Sequence, residues 1–218
     1  MKTISIINFK GGVGKTTISL HLASMLAKKH KVLMVDLDPQ LSLTEGFIRE
    51  DDGNWELTYN INELLIGNTE VEIYNRNNEK NLYLLQGFGE LNFENFKPTD
   101  LKTKLNLVGN AYDIDYIIID CPPSVFQNQM KNSHPISSII ASDFLIIPIK
   151  ADAYSMKGLM KFVKAVYQLK EKYKLNTQIA GVVFNFVVER RRNWKLYRNE
   201  FFNNPVLPSI NRFYFRLS

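Results

Sequence analysis

Short apolar runs alternate with helix-like patterns along most of this 218-residue chain. The run from Tyr116 to Ile119 is apolar at every position, which is typical of parallel strands that helices cover on both faces. The alternation predicts an α/β fold with a doubly wound, mostly parallel sheet flanked by helices. Ligands of such folds bind at the carboxyl ends of the strands. The predicted strands are Ile4–Asn8, Val32–Asp36, Leu82–Gln86, Tyr116–Asp120, Phe144–Ile149 and Ile179–Asn185.

Residues 49–80 interrupt this rhythm with a polar stretch. We therefore predict a surface insertion there, with a short helix near Ile61–Ile66. A further helix is predicted over Met156–Tyr173, and its lysines are interpreted as a solvated face. With 45% hydrophobic residues, the chain fits one domain over residues 1–218.

A glycine-rich loop, Phe9 to Thr17, follows the first predicted strand and precedes a helical pattern. It departs from the common phosphate-loop pattern because Phe9 stands where the first glycine is expected. The variant loop can still bind an anion, because its inward backbone N–H groups and the helix N-terminus form an anion-binding nest. Lys15 is expected to reach the β- and γ-phosphates, and the Thr16 hydroxyl to bind Mg²⁺. The glycines that permit this close approach are Gly11, Gly12 and Gly14.

The loop contains a second lysine, Lys10, and the whole segment resembles the deviant phosphate loop of the ParA/MinD superfamily. The resemblance implies ATP as the ligand. It also implies that Lys10 is a signature lysine, which reaches across a dimer interface to the phosphates held by the other subunit. The residues expected to bind ATP are Lys10, Gly11, Gly12, Val13, Gly14, Lys15, Thr16, Thr17 and Asn185.

The second strand ends in the segment Asp36-Leu37-Asp38-Pro39-Gln40. Carboxylates two residues apart on a strand point to the same side. The segment resembles the family's A′ motif, which implies that Asp38 positions or activates the attacking water while Asp36 supports the Mg²⁺ shell. Phosphoryl transfer needs such an oriented nucleophile and charge neutralisation. The expected catalytic residues are Lys10, Lys15 and Asp38.

A third motif is the apolar strand that ends in Asp120, the Walker B arrangement for holding Mg²⁺. The Cys-Pro-Pro-Ser segment that follows resembles the ParA branch. We interpret Cys121 as a small packed residue rather than a nucleophile. The expected Mg²⁺ ligands are Thr16, Asp36 and Asp120.

The last predicted strand ends in Asn185, and the resemblance implies that its side chain recognises the edge of adenine. The guanine-reading Asn-Lys-x-Asp pattern does not occur after this strand. Both observations favour ATP.

Charge is unevenly distributed within the net +5. Residues 1–150 contain 14 Lys/Arg and 18 Asp/Glu, whereas residues 151–218 contain 13 Lys/Arg and 4 Asp/Glu. A basic C-terminal third indicates a polyanionic partner. Within the basic C-terminal part, residues 186–218, the segment 189–198 interleaves basic and aromatic side chains. This suits contact with phosphates without sequence reading, although a solvated helix face is an alternative. The candidate DNA contacts are Arg190, Arg191, Arg192, Lys195 and Arg198.

The cysteine content, the N-terminal sequence and the position of the loop bear on the cellular location and on further domains. A single cysteine excludes an internal disulfide, and neither a signal peptide nor a membrane-spanning apolar stretch is recognisable. We expect a cytoplasmic protein that associates with the nucleoid. The early position of the loop predicts no upstream helix-turn-helix domain, and the chain is expected to lack the family's final helix.

The resemblance as a whole implies a Mg²⁺-dependent ATPase of the ParA type that drives plasmid or chromosome partition. It implies an ATP-dependent homodimer, non-specific DNA binding, and a centromere-binding, ParB-like adaptor protein that stimulates hydrolysis.

The first alternative is a MinD-like ATPase that cycles on membranes. That branch usually has Gly at the position of Phe9 and a C-terminal amphipathic helix, so no membrane contact is expected. A second alternative is a relative that acts as an iron–sulfur scaffold or reductase. Such proteins need paired cysteines, and the single cysteine excludes a conventional cluster site within one subunit. A non-hydrolysing DNA-binding module is disfavoured by the intact set of Lys10, Lys15, Asp38 and Asp120.

Overall fold

The computed structural model describes residues 1–48, 59–67, 72–75, 80–123, 133–150, 152–187 and 212–214, together with residues 196, 199, 201 and 203. The strands are β1 Lys2–Ile6, β2 Val32–Asp36, β3 Tyr74–Asn75, β4 Leu82–Leu85, β5 Tyr116–Asp120, β6 Phe144–Lys150, β7 Gln178–Asn185 and β8 Arg212–Tyr214. The helices are α1 Lys15–Ala27, α2 Ser42–Phe47, α3 Ile61–Ile66, α4 Asp100–Ala111, α5 His134–Ala141 and α6 Ala153–Tyr173.

These strands form one sheet in the order β3-β4-β2-β5-β1-β6-β7-β8. Neighbouring strands are parallel, except that β3 runs antiparallel to β4. The predicted doubly wound, mostly parallel sheet is therefore confirmed. The chain places β2, β4 and β5 on one side of β1 and β6 to β8 on the other, so a crevice opens at the carboxyl end of β1.

The central strands are buried on both faces, as their continuous apolar sequence predicts. All five residues of β2 are buried. Leu33 and Val35 pack into one hydrophobic cluster, while Val32 and Met34 pack into a second, because successive side chains of a strand point to opposite faces. Helices α1 and α2 contribute side chains to the second cluster and α3 to α6 to the first, so helices cover both faces of the sheet.

Part of the predicted insertion is described. Helix α3 has the predicted bounds, and the Asn60 side chain caps its start by accepting hydrogen bonds from the N–H groups of Asn62 and Glu63. The edge strand β3 was not predicted, since two residues between polar segments carry no readable period. The predicted insertion residues 49–58, 68–71 and 76–79 lie outside the described residues.

Two other predictions concern helices. Helix α6 begins at Ala153, three residues earlier than predicted, because Asp152 caps it and accepts a hydrogen bond from the Ser155 N–H. Among the described residues, no helix has the length and apolar character needed to cross a bilayer.

Candidate functional site

The glycine-rich loop connects β1 to α1 at the central crevice of the sheet. Gly12 and Gly14 have φ angles of 64° and 87°, in the left-handed region where a side chain would be strained. Gly14 is the N-cap of α1 and has no side chain with which to cap the helix. The first N–H groups of α1 therefore remain available to an anion, as the sequence predicted.

Lys15, the first residue of α1, lies inside this loop and is only 7% exposed. Its Nζ donates a hydrogen bond to the backbone carbonyl of Lys10 at 3.3 Å. Burial lowers the pKa of this ammonium, while the nearby Asp120, Cys121 and Asp38 oppose the shift. A nearly buried ammonium whose hydrogen-bond acceptor is a backbone carbonyl is suited to exchange that carbonyl for a phosphate oxygen.

Asp120 ends β5 directly below the loop and is 1% exposed. Its two carboxylate oxygens accept hydrogen bonds from the Thr16 hydroxyl at 2.6 Å and from the Ser19 hydroxyl at 2.9 Å. Burial raises the pKa of Asp120 to about 7, although both hydroxyl donors oppose this shift. The structure thus brings together two of the three predicted Mg²⁺ ligands, Thr16 and Asp120.

These two groups fit Mg²⁺ by their chemistry. A hydroxyl and a carboxylate are hard oxygen donors, and Mg²⁺ commonly binds one or two carboxylates together with substrate phosphates. Within the part of the chain that the structure describes, no cluster of three or more His, Cys, Asp or Glu could hold a metal by itself. A site completed by nucleotide phosphates agrees with that finding.

Asp36, the third predicted ligand, is aligned with Asp120 across the β2–β5 pair but is fully buried. One oxygen accepts from the Thr44 N–H at 2.9 Å and the Thr44 hydroxyl at 2.8 Å. The other accepts from the Asp38 N–H at 3.0 Å. Burial raises the pKa of Asp36, and these hydrogen bonds oppose the rise. Asp36 therefore shapes the turn that carries Asp38, and its predicted contact with the Mg²⁺ shell stays a prediction.

Asp38 lies in the turn after β2 and is partly exposed. Its carboxylate accepts a hydrogen bond from the Gln40 N–H at 3.0 Å, which holds the side chain in an Asx turn. Its negative charge is near enough to Lys15 to oppose the lowering of the pKa of that lysine. This position suits the predicted task of orienting a water molecule.

Lys10 extends away from Lys15 and toward the start of α6. Its Nζ contacts the Asp152 carboxylate at 2.9 Å and the Ser155 hydroxyl at 3.3 Å. The two charged side chains are 41% and 36% exposed. The structure therefore places the two loop lysines in different surroundings: Lys15 is nearly buried and bonded to a backbone carbonyl, whereas Lys10 is in a half-exposed ion pair.

Asn185 ends β7 and is 1% exposed. Its Nδ2 donates to the carbonyl of Val13 at 3.0 Å, and its Oδ1 accepts from the N–H of Phe186 at 2.9 Å. The amide therefore supports the loop from below, a contact that the sequence did not predict. Phe186 has a φ of 55° and a ring that is 59% exposed, close to Gly14. Recognition of adenine by Asn185 stays a prediction.

Several supporting residues were missed in the sequence. Asn8 links the loop to β6, because its side chain donates to the Pro148 carbonyl and accepts from the Lys10 N–H. Phe9, which replaces the expected glycine, packs its ring against Phe162 of α6 at 4.9 Å between centroids. Of these contacts only the start of α6 had a signal in the sequence, because Asp152 is a preferred N-cap residue type and precedes a helical pattern.

The remaining predicted residues divide into three groups. Gly11, Gly12 and Thr17 lie on the exposed side of the loop, whereas Val13 is fully buried. Cys121 is 1% exposed, and burial raises the pKa of its thiol to about 12, so its interpretation as a packed residue is confirmed. The candidate DNA contacts, Arg190, Arg191, Arg192, Lys195 and Arg198, lie outside the described residues.

A family model described as an AAA domain matches residues 1–180 of the chain. A virulence plasmid ParA family protein from Chlamydia psittaci is 32% identical over 203 residues, which cover 90% of this chain and 74% of that protein. The sporulation initiation inhibitor protein Soj from Bacillus subtilis is 32% identical over 196 residues, which cover 87% and 74%.

Solved structures agree with these sequence relatives. A plasmid partition protein from Borrelia burgdorferi bound to AMPPNP superimposes with a TM-score of 0.76 at 30% identity, covering 93% of this chain and 81% of that one. An ATP complex of an McdA variant from Cyanothece superimposes with a TM-score of 0.80 at 26% identity, covering 98% and 82%.

Proposed function

Because the chain belongs to the ParA family of P-loop proteins, we propose that it is a Mg²⁺-dependent ATPase that drives partition of a plasmid or chromosome. In this proposal ATP joins two subunits into a sandwich dimer, and the dimer binds DNA without sequence preference. A ParB-like adaptor protein stimulates hydrolysis and releases the dimer. The observation that carries the proposal is the arrangement of Lys15, Thr16 and Asp120 around a loop that also contains Lys10.

Nucleotide binding begins at the loop. The left-handed glycines Gly12 and Gly14 and the N-terminus of α1 present N–H groups to the phosphates. Lys15 Nζ leaves the Lys10 carbonyl and pairs with phosphate oxygens. Because Lys15 is nearly buried, this exchange gains more electrostatic energy than the same contact would in water.

Mg²⁺ supplies charge neutralisation to the phosphates when it is bound. Thr16 and Asp120 would hold it, and Ser19 keeps the Asp120 carboxylate oriented by its hydrogen bond. A dication beside Asp120 favours the ionised carboxylate and so reverses the effect of burial on its pKa.

Hydrolysis needs a positioned water molecule and a second cation. We assign the positioning of the water to Asp38, whose turn is held by hydrogen bonds with Asp36 and Gln40. We assign the second cation to Lys10 of the opposite subunit, as the family resemblance implies. Both assignments are tested by substitution below.

DNA binding is proposed from charge. Residues 151–218 contain 13 Lys/Arg against 4 Asp/Glu, and Lys157, Lys161 and Lys164 are exposed along α6. Binding through phosphates should weaken steeply as salt rises, since each contact releases a counterion.

The test is light scattering after size exclusion with ADP and with ATP, followed by DNA binding of each species. We expect a dimer with ATP only, and DNA binding by that dimer only. A variant with Arg190, Arg191 and Arg192 replaced by alanine tests the DNA contacts separately: it should keep the dimer and weaken DNA binding. ATP-dependent binding to anionic vesicles but not to DNA would favour the membrane-cycling alternative, and no phosphate release with Mg²⁺ and DNA would exclude an ATPase.

A further inference from the structure

The Lys10 side chain forms an ion pair and a hydrogen bond within its own subunit. Its ammonium group donates to Asp152 at 2.9 Å and to Ser155 at 3.3 Å, both at the start of α6. Its backbone N–H donates to the Asn8 side chain at 3.1 Å. Asn8 in turn donates to the Pro148 carbonyl, so the backbone of Lys10 is linked to β6 and its side chain to the start of α6.

Asp152 is itself fixed in place. One carboxylate oxygen caps α6 by accepting from the Ser155 N–H at 2.7 Å, while the other faces Lys10. Its backbone N–H donates to the Lys150 carbonyl at 2.9 Å. The hydrogen bonds from Lys10 and Ser155 lower the pKa of Asp152 despite the opposing effect of burial, so this carboxylate is ionised at neutral pH.

We propose that Asp152 is a positioning residue that keeps Lys10 within its own subunit, and that loss of this ion pair sets how readily the ATP dimer forms. The inference rests on the proposed function, in which Lys10 contacts the nucleotide of the opposite subunit. Lys10 must leave Asp152 to make that contact as an unshared cation. An aspartate that stayed beside it would also approach the phosphates and repel them.

A role of Asp152 in orienting Lys10 toward the other subunit would predict the opposite effect on the dimer. If Asp152 oriented Lys10 toward the interface, its removal would weaken the dimer and slow hydrolysis. If Asp152 retains Lys10, its removal should strengthen the dimer and leave turnover within the dimer unchanged.

The size of the effect follows from the exposure of the pair. Both side chains are more than one third exposed, so solvent screens their attraction. Exposed pairs of this kind change an equilibrium by about 1.5- to 5-fold. Two such pairs break for each dimer formed, so the dissociation constant of the dimer should fall by about 2- to 25-fold.

Asp152→Asn is the decisive variant. Asparagine is a good N-cap residue and can still accept the Ser155 hydrogen bond, so helix α6 keeps its start while the charge is lost. Ser155→Ala removes the weaker contact with Lys10 together with the side-chain hydrogen bond to Asp152, and should act in the same direction with a smaller change. The charge control is Asp100→Asn in the first turn of α4, where the carboxylate accepts a hydrogen bond from the Lys97 N–H.

The experiment measures the monomer–dimer equilibrium by analytical ultracentrifugation with AMPPNP and Mg²⁺, at low and high salt, and turnover with ATP. We expect a tighter dimer for Asp152→Asn, no change for Asp100→Asn, and a smaller difference between wild type and Asp152→Asn at high salt. Combining Asp152→Asn with Lys10→Ala should leave dimer formation as it is in Lys10→Ala alone, because Asp152 acts only through Lys10.

The outcomes separate the two proposals. A wild-type dimer with an equal or weaker Asp152→Asn dimer would overturn the role of Asp152 and leave the proposed function standing. If neither protein dimerises at any nucleotide concentration, the sandwich dimer is wrong and this inference fails with it. Thermal unfolding of each variant checks that the fold is kept.

Discussion

Asn185 offers the sharpest test of how the loop is held. Substitution to alanine removes the Nδ2 bond to the Val13 carbonyl and the Oδ1 bond from the Phe186 N–H. Both bonds are at or below 3.0 Å, and Val13 is fully buried, so water has little access to the carbonyl that loses its partner.

The magnitude follows from these contacts. Each intramolecular hydrogen bond contributes about 1 kcal/mol net, and a buried group left without a partner costs about 1–3 kcal/mol. We therefore expect Asn185→Ala to lower the free energy of unfolding by about 2–4 kcal/mol. At a typical urea dependence of about 2 kcal/mol/M, the midpoint should move by about 1–2 M.

The assay is urea unfolding followed by circular dichroism. The matched control is Gln178→Ala at the other end of β7, where the side chain is exposed and the change should stay within about 0.5 kcal/mol. A loss below about 0.5 kcal/mol for Asn185→Ala would refute the idea that this amide supports the loop.

A second measurement separates support of the loop from recognition of the base. If Asn185 acts through Val13 and the phosphate loop, the variant should weaken ATP and GTP binding by the same factor. If Asn185 also reads the adenine edge, ATP affinity should fall more than GTP affinity. Titration of both nucleotides against one preparation gives the comparison directly.

Four further expectations concern the charged residues of the site. Lys15→Ala should abolish ATP binding, because the loop loses its buried cation, and unchanged affinity by calorimetry would contradict the phosphate-loop assignment. Lys10→Ala should still bind ATP but fail to form or hydrolyse within the dimer; a normal dimer with full turnover would count against the signature role. Asp38→Ala should trap an ATP-bound dimer, which a normal hydrolysis rate would rule out. Without Mg²⁺, the raised pKa of Asp120, about 7, makes the folded protein bind more protons than the unfolded chain, so the free energy of unfolding should fall as pH rises from about 4 to 7. Burial also raises the pKa of Asp36, which contributes in the same direction, so Asp120→Asn should reduce that slope in urea unfolding with EDTA, and an unchanged slope would refute this origin.

The strands and the phosphate loop were readable from the sequence because their signals are local. A run such as Ile117 to Ile119 has no polar face, so it can only be a strand or helix covered on both sides, and its length favours a strand. The loop glycines, Lys15 and Thr16 are adjacent in sequence, and a strand and a helical pattern frame them. Helix α3 was likewise predicted with its observed bounds.

Side-chain contacts between elements were not readable, whether the residues are near each other or far apart in sequence. Thr44 bonds to Asp36 from the start of α2, and Phe9 packs on Phe162 more than 150 residues away. Neither pair leaves a periodic trace, because a single threonine or phenylalanine occurs equally well on any buried face. The short edge strand β3 was missed for the same reason.

The sequence by itself determined the order of the elements and the chemistry of the phosphate loop, since both depend on neighbours along the chain. Only the tertiary structure decided the partners of that loop. Parallel pairing of β1 with β5 and β6 brings Asp120 under Thr16 and Asp152 beside Lys10. These are contacts across more than 100 residues, and they exist because the carboxyl ends of adjacent parallel strands meet at one edge of the sheet.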